Sequence, residues 1–590
     1  MTDPPGAVVP GRIARILPDI TGLDKRFDYL VPADMADRIV VGSLVRIDLH
    51  GRRVGGWVMS IHGVGETLVE AASLKEVAKF SGCGPTAELI DLAEWAGVRW
   101  AAARQRPFLV TASPPRMVPG LPEARRTALR PGPCSPATAE LLASGGGLLR
   151  LPPRADLLPA VLAAVRHGPA LVVVPAQDDV ALIAARLRRA NVAVAIVPGE
   201  WAQAAGGVDV VIGTRSAAWA PCAEMACALV IDEHDEALQE ERAPTWHARD
   251  VVAERCRRAG VPCVLISPVP TVTAIEWYAR DGVVHPPRAR ERSGWPTVAV
   301  VDRRDEEPWR RSLVTSALIE RLRDPERRVL CVSNITGRAR VLACRSCQAL
   351  VRCEVCDAAV GLTDERRLVC KRCGTDRPAV CQACGAAAFA NLRPGVTRLR
   401  EELEAAAGRP VAQLTAADDR PPDPHIDVVV GTEAVLHRSG PADVVVFLEF
   451  DSEMLAPRFR AAEQSLALLV RAGRLAPEVV VQTFVPDHPV LQAAVRGDPD
   501  IVAAIERDRR LRLGLPPYGA LALLSGTGAD EVVAELIGHD GGIEVGEIDG
   551  HGSSRYLVRS ADWMTLGAAL NAAERPTGSR VRIEVDPARV

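Results

Sequence analysis

Lysine is what this sequence has least of. Only Lys25, Lys75, Lys79 and Lys371 occur among 590 residues, so arginine carries the positive charge. With a formal net charge of −3, a uniformly basic nucleic-acid sleeve is excluded, and any basic face must be local. No Gly-Lys-Ser or Gly-Lys-Thr occurs anywhere. That excludes an ordinary phosphate-binding loop, which needs a lysine on the β/γ-phosphates and a hydroxyl on Mg²⁺. No basic segment followed by an apolar run opens the chain, and no apolar stretch reaches membrane-spanning length. A cytoplasmic protein is the expectation. Repeats and low-complexity tracts are also missing.

The hydrophobic share of 48% and charged share of 25% are those of soluble globular protein. The chain is too long for one core and should form about three to five domains. Of its fifteen cysteines, eight fall between Cys344 and Cys384 in CxxC pairs. In a large intracellular chain that pattern reads as metal binding, not as a disulfide framework.

Residues 8–80 read as short strands and turns ("RIARILP", "RFDYLVP", "SLVRIDL", "GGWVMSI"), a small β-rich module with "HGRRVGG" as a basic turn. Residues 110–137, rich in Pro, Gly and Ser, read as a linker. From about 140 onward, apolar β-branched runs alternate with amphipathic helical patterns. The first strands are "ALVVVP", "VDVVIGT", "ALVIDE" and "PCVLIS"; "RVLCVS", "IDVVVGT", "DVVVFLEF" and "EVVVQTF" follow. Unbroken apolar strands separated by helices mean parallel sheets covered on both faces, here enough for two lobes. The cysteine block interrupts the second lobe, and a separate α+β unit closes the chain from "LRLGLPPYGAL".

Each CxxC turn can aim two thiolates at one metal, and Zn²⁺ takes four tetrahedrally. Eight cysteines therefore make two closed, structural sites. Thirteen residues between Cys356 and Cys370 read as strand, polar turn, strand, the hairpin of a zinc ribbon. This favours Cys353, Cys356, Cys370 and Cys373 around one ion and Cys344, Cys347, Cys381 and Cys384 around the other. Sequential pairing is the competing arrangement.

"ALVIDEHDE" ends a strand in Asp232-Glu233, where a Mg²⁺-holding acid and a water-orienting acid stand in nucleic-acid-dependent ATPases. "VVIGTRSA" ends another in Gly213-Thr214-Arg215-Ser216, a turn suited to gripping a phosphate. With these motifs the chain resembles the PriA family of bacterial replication-restart proteins, over nearly its whole length. The resemblance rests on "RFDYLVP", "VGSLVRIDLHGRRVGGWV", "VIGTRSA", "VIDEHD", "WHARD", the four cysteine pairs, "VVVGTEAVL", "FRAAEQ", "RAGR", "VVVQTFVPDHPVL", "LGLPPY" and the final "VDP". It implies the nested zinc pairing. It also implies an amino-terminal site for the 3′ end of a nascent strand, involving Phe27, Asp28 and Tyr29. Arg46, Arg52 and Arg53, on or near a glycine turn, are candidate phosphate contacts, as is Arg215 on the first-lobe turn.

The departures concern the motor. Where that family has GxTGSGKT, the matching place reads "ASGGGLLRLPP", with Gly145, Gly146 and Gly147 keeping some flexibility. DEEHD is reduced to Asp232-Glu233-His234-Asp235, GSATP to Ser267-Pro268-Val269-Pro270, and an arginine-rich element to Asn334-Ile335-Thr336-Gly337. The lysine-glycine after the second GT motif is His437-Arg438. Of QxxGRxGR only Arg471 and Arg474 remain. Losing so many phosphate-cradling groups argues against phosphoryl transfer and puts ATP and Mg²⁺ in doubt.

The expected fold is therefore α/β: two RecA-like parallel-sheet lobes of superfamily 2 helicase type, a β-rich amino-terminal module, an inserted double zinc ribbon and an α+β carboxyl-terminal domain. The expected boundaries are 1–109 for the 3′-end-binding module, 110–137 for the linker, and 138–290 and 291–505 for the degenerate lobes. The zinc insertion is placed at 343–386 and the last domain at 506–590. The resemblance implies a nucleoid-associated protein with two Zn²⁺ per chain. It would recognise forked or D-loop DNA and promote primosome assembly without helicase activity. Its implied partners are other primosome proteins, a helicase loader or replicative helicase, and single-stranded DNA-binding protein, with no membrane. The alternatives are an active 3′-to-5′ helicase with an unorthodox nucleotide site and a zinc-ribbon interaction scaffold. Trp246, His247, Arg249 and Asp250 read as fold-supporting.

Overall fold

The computed structural model describes residues 12–590 except 64–73, 128–131, 280–281, 305–312, 334–341, 348, 364, 392–395, 419, 421, 539–541, 549–553 and 577. The expected motif 334–337 lies outside the described residues. The amino-terminal strands β1 (Arg12–Pro18), β2 (Phe27–Leu30), β3 (Leu44–Leu49), β4 (Arg52–Gly63) and β5 (Lys79–Gly82) form one antiparallel sheet in the order β2-β1-β4-β3-β5. One face closes a small core around Ile16, Tyr29, Ile47 and Val58. Leu17, Trp57 and Met59 belong instead to a larger core shared with the helix Ala87–Arg99. Alternation along each strand thus serves two cores.

In the first lobe, seven strands form one parallel sheet: β6 (Gly146–Arg150), β7 (Ala170–Val173), β8 (Val194–Ile196), β9 (Val210–Gly213), β10 (Cys227–Ile231), β11 (Cys263–Ser267) and β12 (Val283–Val284). Their order is β12-β6-β11-β10-β7-β9-β8. Both faces are covered, so β7, β9 and β10 are buried throughout and read as unbroken apolar runs.

The second lobe begins with β13 (Thr297–Asp302) and β14 (Val329–Ser333). The chain then leaves for the cysteine block, with β15 (Leu342–Cys344), β16 (Gly361–Leu362), β17 (Arg367–Val369), β18 (Asp376–Pro378) and β19 (Phe389–Asn391). It returns as β20 (Val411–Leu414), β21 (Val428–Gly431), β22 (Val444–Glu449) and β23 (Glu478–Thr483), giving a six-stranded parallel sheet in the order β13-β23-β22-β14-β21-β20. These are the two parallel-sheet lobes that the strand pattern predicts.

The last unit pairs β24 (Ala520–Ser525), β25 (Ile543–Glu547), β26 (Arg555–Ser560) and β27 (Arg582–Val585) antiparallel, with the helices Ala529–Ile537 and Trp563–Ala572. It packs back on the amino-terminal module. Gly567 sits against that helix, where a Cβ would lie 2.9 Å from the Val98 carbonyl oxygen. Buried Arg99 pairs with Asp586.

Two connecting segments are more ordered than their composition suggests. Residues 113–127 are pinned first to the amino-terminal module, where Cys83 N–H donates to Val118 O at 2.7 Å, and then to the first lobe, where Arg125 N–H donates to Gly207 O at 2.8 Å and Thr127 N–H to the Asp209 carboxylate. Residues 585–590 touch three bodies. Thr245 donates to Val585 O and Gln239 to Asp586 O on the first lobe, while Gln464 donates to Ala588 O and Phe459 N–H to Val590 O on the second. Asp586 adds the contact with Arg99. Among the described residues no helix is long and apolar enough to cross a membrane.

Candidate functional site

In parallel sheets, ligands collect outside the carboxyl ends of the strands, where helix amino termini and strand-end acids converge. Gly145, Gly146 and Gly147 are at the opposite end. They lead into β6, whose Gly146 pairs with Cys263, the first residue of β11. A Cβ at Gly146 would stand 2.3 Å from the Cys263 carbonyl oxygen, so that glycine serves strand packing. The assignment of the three glycines to a phosphate site is corrected accordingly. The loop in the phosphate position is 151–157, between β6 and the helix Leu158–His167. Leu148 and Leu149, read as buried strand rather than loop, would have located it.

That loop is built against phosphate. Asp156 accepts the Leu158 N–H at 3.0 Å and a bidentate Arg186 at 2.7 Å on both oxygens, so a carboxylate occupies the helix amino terminus. The Arg186 hydrogen bond holds the Asp156 pKa below the usual carboxylate range. Arg150, at the end of β6, is 1% exposed and committed to Glu291 at 2.6 Å and Asp500 at 2.5 Å. Neither arginine is free to hold a ligand.

Asp232, just past β10, is buried and held at a φ of 53°, a left-handed conformation that aspartate tolerates better than most residues. Its partner is Arg474, at the end of the helix Ala461–Leu475 of the second lobe. The guanidinium grips both carboxylate oxygens at 2.6 Å. Burial alone would raise the Asp232 pKa, but Arg474 outweighs it and the value falls below the ordinary one. Arg474 also donates to Pro153 O at 3.1 Å, and Arg154 donates to Gly473 O at 2.9 Å. Arg471 pairs with Asp235. A fork-to-fork guanidinium–carboxylate pair thus spans the cleft where a metal-bound nucleotide would sit in an active motor.

Glu233 faces inward. It is fully buried, accepts from Thr271 N–H at 2.7 Å, Thr271 Oγ1 at 2.9 Å and Arg249 at 3.0 Å, and fixes the turn after β11. His234 shares a hydrogen bond with Ser267 Oγ at 2.9 Å, and burial lowers its pKa. Arg249 pairs with Asp250 at 2.9 Å. Burial opposes the Asp250 charge, yet Arg249 carries its pKa down to about 2. Trp246 is buried against Trp219, and His247 caps the helix that begins at Ala248. Arg215 is half-buried and donates to Ala237 O at 3.0 Å, Gln239 O at 2.8 Å and Glu240 at 3.0 Å, so these acceptors take up much of its guanidinium.

The cysteine block gathers its sulfurs into two groups, Cys344, Cys347, Cys381 and Cys384, and Cys353, Cys356, Cys370 and Cys373, each within 4.8 Å of one another. The closest pairs are Cys344–Cys384 and Cys347–Cys381 at 3.5 Å and Cys353–Cys373 and Cys356–Cys370 at 3.4 Å. A tetrahedral thiolate site with metal–sulfur bonds of about 2.3 Å needs sulfurs roughly 3.8 Å apart, so the donors fit one Zn²⁺ per group. Positive φ at Asp357, Gly374 and Gly385 follows three of the CxxC turns and folds each back toward its sulfurs. Arg372 then fastens the block to the second lobe through the carbonyls of Ala456 and Arg458.

In the amino-terminal module, Tyr29 is buried and donates to Asp48 O, so it serves the core. Asp28 is held by Arg15 at 2.8 and 3.1 Å, and Phe27 is half-buried against the same core. Arg46, Arg52 and Arg53 are exposed on the β3–β4 hairpin. Arg46 opposes Gly55, and Arg53 opposes Asp48, to which it pairs at 3.5 Å. Direct opposition and period-2 alternation place Arg46 and Arg53 on one face.

Residues 15–106 match the family model of the PriA 3′ DNA-binding domain. The chain is 30% identical to the probable replication restart protein PriA of Mycobacterium leprae, covering 96% of this chain and 99% of that one. It is 28% identical to replication restart protein PriA of Bacillus subtilis over 56% of this chain and 45% of that one. Among solved structures it is similar to yeast Dbp5 bound to RNA and ADP BeF3, at 9% identity and a TM-score of 0.35, over 64% of this chain and 93% of that one. Near-complete coverage of the mycobacterial relative, with the matched amino-terminal domain, places the chain in the family of replication restart protein PriA.

Proposed function

We propose that this protein binds branched DNA to restart replication and does so without consuming nucleotide. The reading joins family membership to one observation: a carboxylate, Asp156, occupies the helix amino terminus where a phosphate would have to sit. Together with Arg186 it fills the place of a phosphate and takes up the amide and guanidinium donors that a phosphate would use, and no lysine occurs in the sequence from Phe80 through Cys370. A motor needs that pocket positive and open. A DNA platform does not.

The DNA contacts are assigned to the exposed arginines Arg46, Arg52 and Arg53 beside the bare backbone of Gly55, and a free 3′ end of a fork or D-loop is the preferred ligand. The two four-cysteine groups hold Zn²⁺ as structural ions. The ribbons and the carboxyl-terminal domain are assigned the contacts with other primosome proteins and with the replicative helicase or its loader.

The test uses the full-length protein. Affinity for a fork with a free 3′ end is compared with plain duplex at two salt concentrations, alongside ATP hydrolysis with fork DNA present. The expected result is tighter binding to the fork and no hydrolysis above background. Equal affinity for both DNAs would favour a protein-interaction scaffold. DNA-stimulated turnover of even about 1 s⁻¹ would restore a motor.

A further inference from the structure

In a two-lobed motor, nucleotide binding draws the lobes together and hydrolysis releases them, because the triphosphate and its metal are the shared ligand of both lobes. Here the shared ligand is protein. Arg474 of the second lobe takes the Asp232 carboxylate of the first with both guanidinium nitrogens at 2.6 Å, and Arg471 takes Asp235 one turn away. Around this pair the two backbones interlock. Arg474 donates to the Pro153 carbonyl, and Arg154 donates in return to the Gly473 carbonyl at 2.9 Å. A Cβ at Gly473 would lie 2.6 Å from Pro296, so the glycine serves packing within the second lobe while its carbonyl faces Arg154. About three turns earlier on the same helix, Glu463 accepts the Val272 N–H of the first lobe at 2.7 Å.

From this geometry we propose that Arg474 is a built-in clasp: it occupies the former fuel cleft as an internal ligand, so that the closed arrangement of the lobes is the resting state and needs no nucleotide. Asp232 is 2% exposed. A carboxylate buried to that extent cannot be left unpaired without a large penalty, so opening the cleft and removing Arg474 are energetically one event. The lobes then act as a fixed surface beside the amino-terminal module, not as a cycle. The inference rests on the proposed absence of nucleotide consumption.

Backbone hydrogen exchange of the full-length protein, read by mass spectrometry, tests it. In the wild type, peptides covering 151–157 and 232–238 should be protected, and millimolar MgATP should change their rates by less than twofold. Arg474→Gln should speed exchange in both by at least tenfold, while β7 and β22 keep their wild-type rates as a check that the lobes remain folded. Arg474→Lys, which keeps the charge but not the fork, should fall between, and Asp232→Asn should mirror Arg474→Gln from the other side. Protection of both loops left intact by Arg474→Gln and Asp232→Asn would overturn the clasp, as would MgATP slowing wild-type exchange. Hydrolysis in the wild type with unchanged exchange would overturn the nucleotide-free reading alone.

Discussion

Asp250 and Glu449 are both acids in shielded surroundings, and their environments push them in opposite directions. Asp250 has Arg249 at 2.9 Å and a pKa carried down to about 2. Its folded value lies below the unfolded one, so its stabilisation is complete above about pH 4 and is lost as pH falls toward 2. The amount is about 2 kcal/mol. In Asp250→Asn, thermal melts should lose this part of the acid limb and show a lower midpoint at neutral pH, because Arg249 loses one of the two carboxylates it pairs with and keeps Glu233. Glu449 stands at the end of β22, two residues before Asp451. Burial first, and then neighbouring Asp451, push its pKa up to about 7, against hydrogen bonds from Ser452 at 2.8 and 2.6 Å. Here the unfolded chain ionises first, so stability falls as pH rises from about 4.5 to 7, by about 3 kcal/mol. Glu449→Gln should flatten that slope and raise the melting midpoint at pH 8. On the β3–β4 hairpin, Arg53→Ala should weaken fork binding at all sequences and reduce the salt slope by about one. Single residues were the least legible part of the chain. Arg215 has the composition of a phosphate grip, but the carbonyls that occupy it come from a segment more than twenty residues downstream, which no local pattern announces.

At the scale of elements, the cysteine block was the most legible part. Four CxxC pairs at one spacing restrict the chemistry to thiolate–metal sites, and the hairpin between Cys356 and Cys370 favours nested pairing. Metal analysis should find two zinc ions per chain. Cys356→Ser should retain one of them, since Cys344, Cys347, Cys381 and Cys384 form a separate set. Arg372→Ala should keep both ions but loosen the block from the second lobe, seen as faster exchange in residues 456–458, because it removes donors to their backbone carbonyls. β6 is the opposite case. "GGLLR" reads as a glycine turn because only two of its residues are strongly apolar. Pairing with β11 and β12 makes it a strand, and the misreading displaced the phosphate loop by about one strand length. Long apolar strands announce themselves; a short strand completed by its neighbours does not.

Across the whole molecule, the continuous core from Leu17 and Trp57 through Leu171 and Val230 to Leu524 and Leu566 joins the amino-terminal module, the first lobe and the last domain. The second lobe has its own core around Leu330, Phe447 and Val481. Unfolding is therefore expected in two steps, with the second lobe separable from the rest. Asp586→Asn leaves buried Arg99 without its carboxylate and should destabilise the larger body by about 3–5 kcal/mol, moving its calorimetric transition while the other stays in place. This joint core had no sequence signature, since the contacting helices Ala87–Arg99 and Trp563–Ala572 are separated by most of the chain.

The six residues from 585 to 590 work like a suture drawn through three pieces of cloth. Four of its stitches are made by carbonyl oxygens, those of Val585, Asp586, Ala588 and Val590, so side-chain substitutions there leave these four in place. Pulling the thread is another matter. A partner protein that seized this short segment would release the two lobes and the amino-terminal helix together, and a movement of the amino-terminal sheet would be felt at the far lobe through the same few peptide groups.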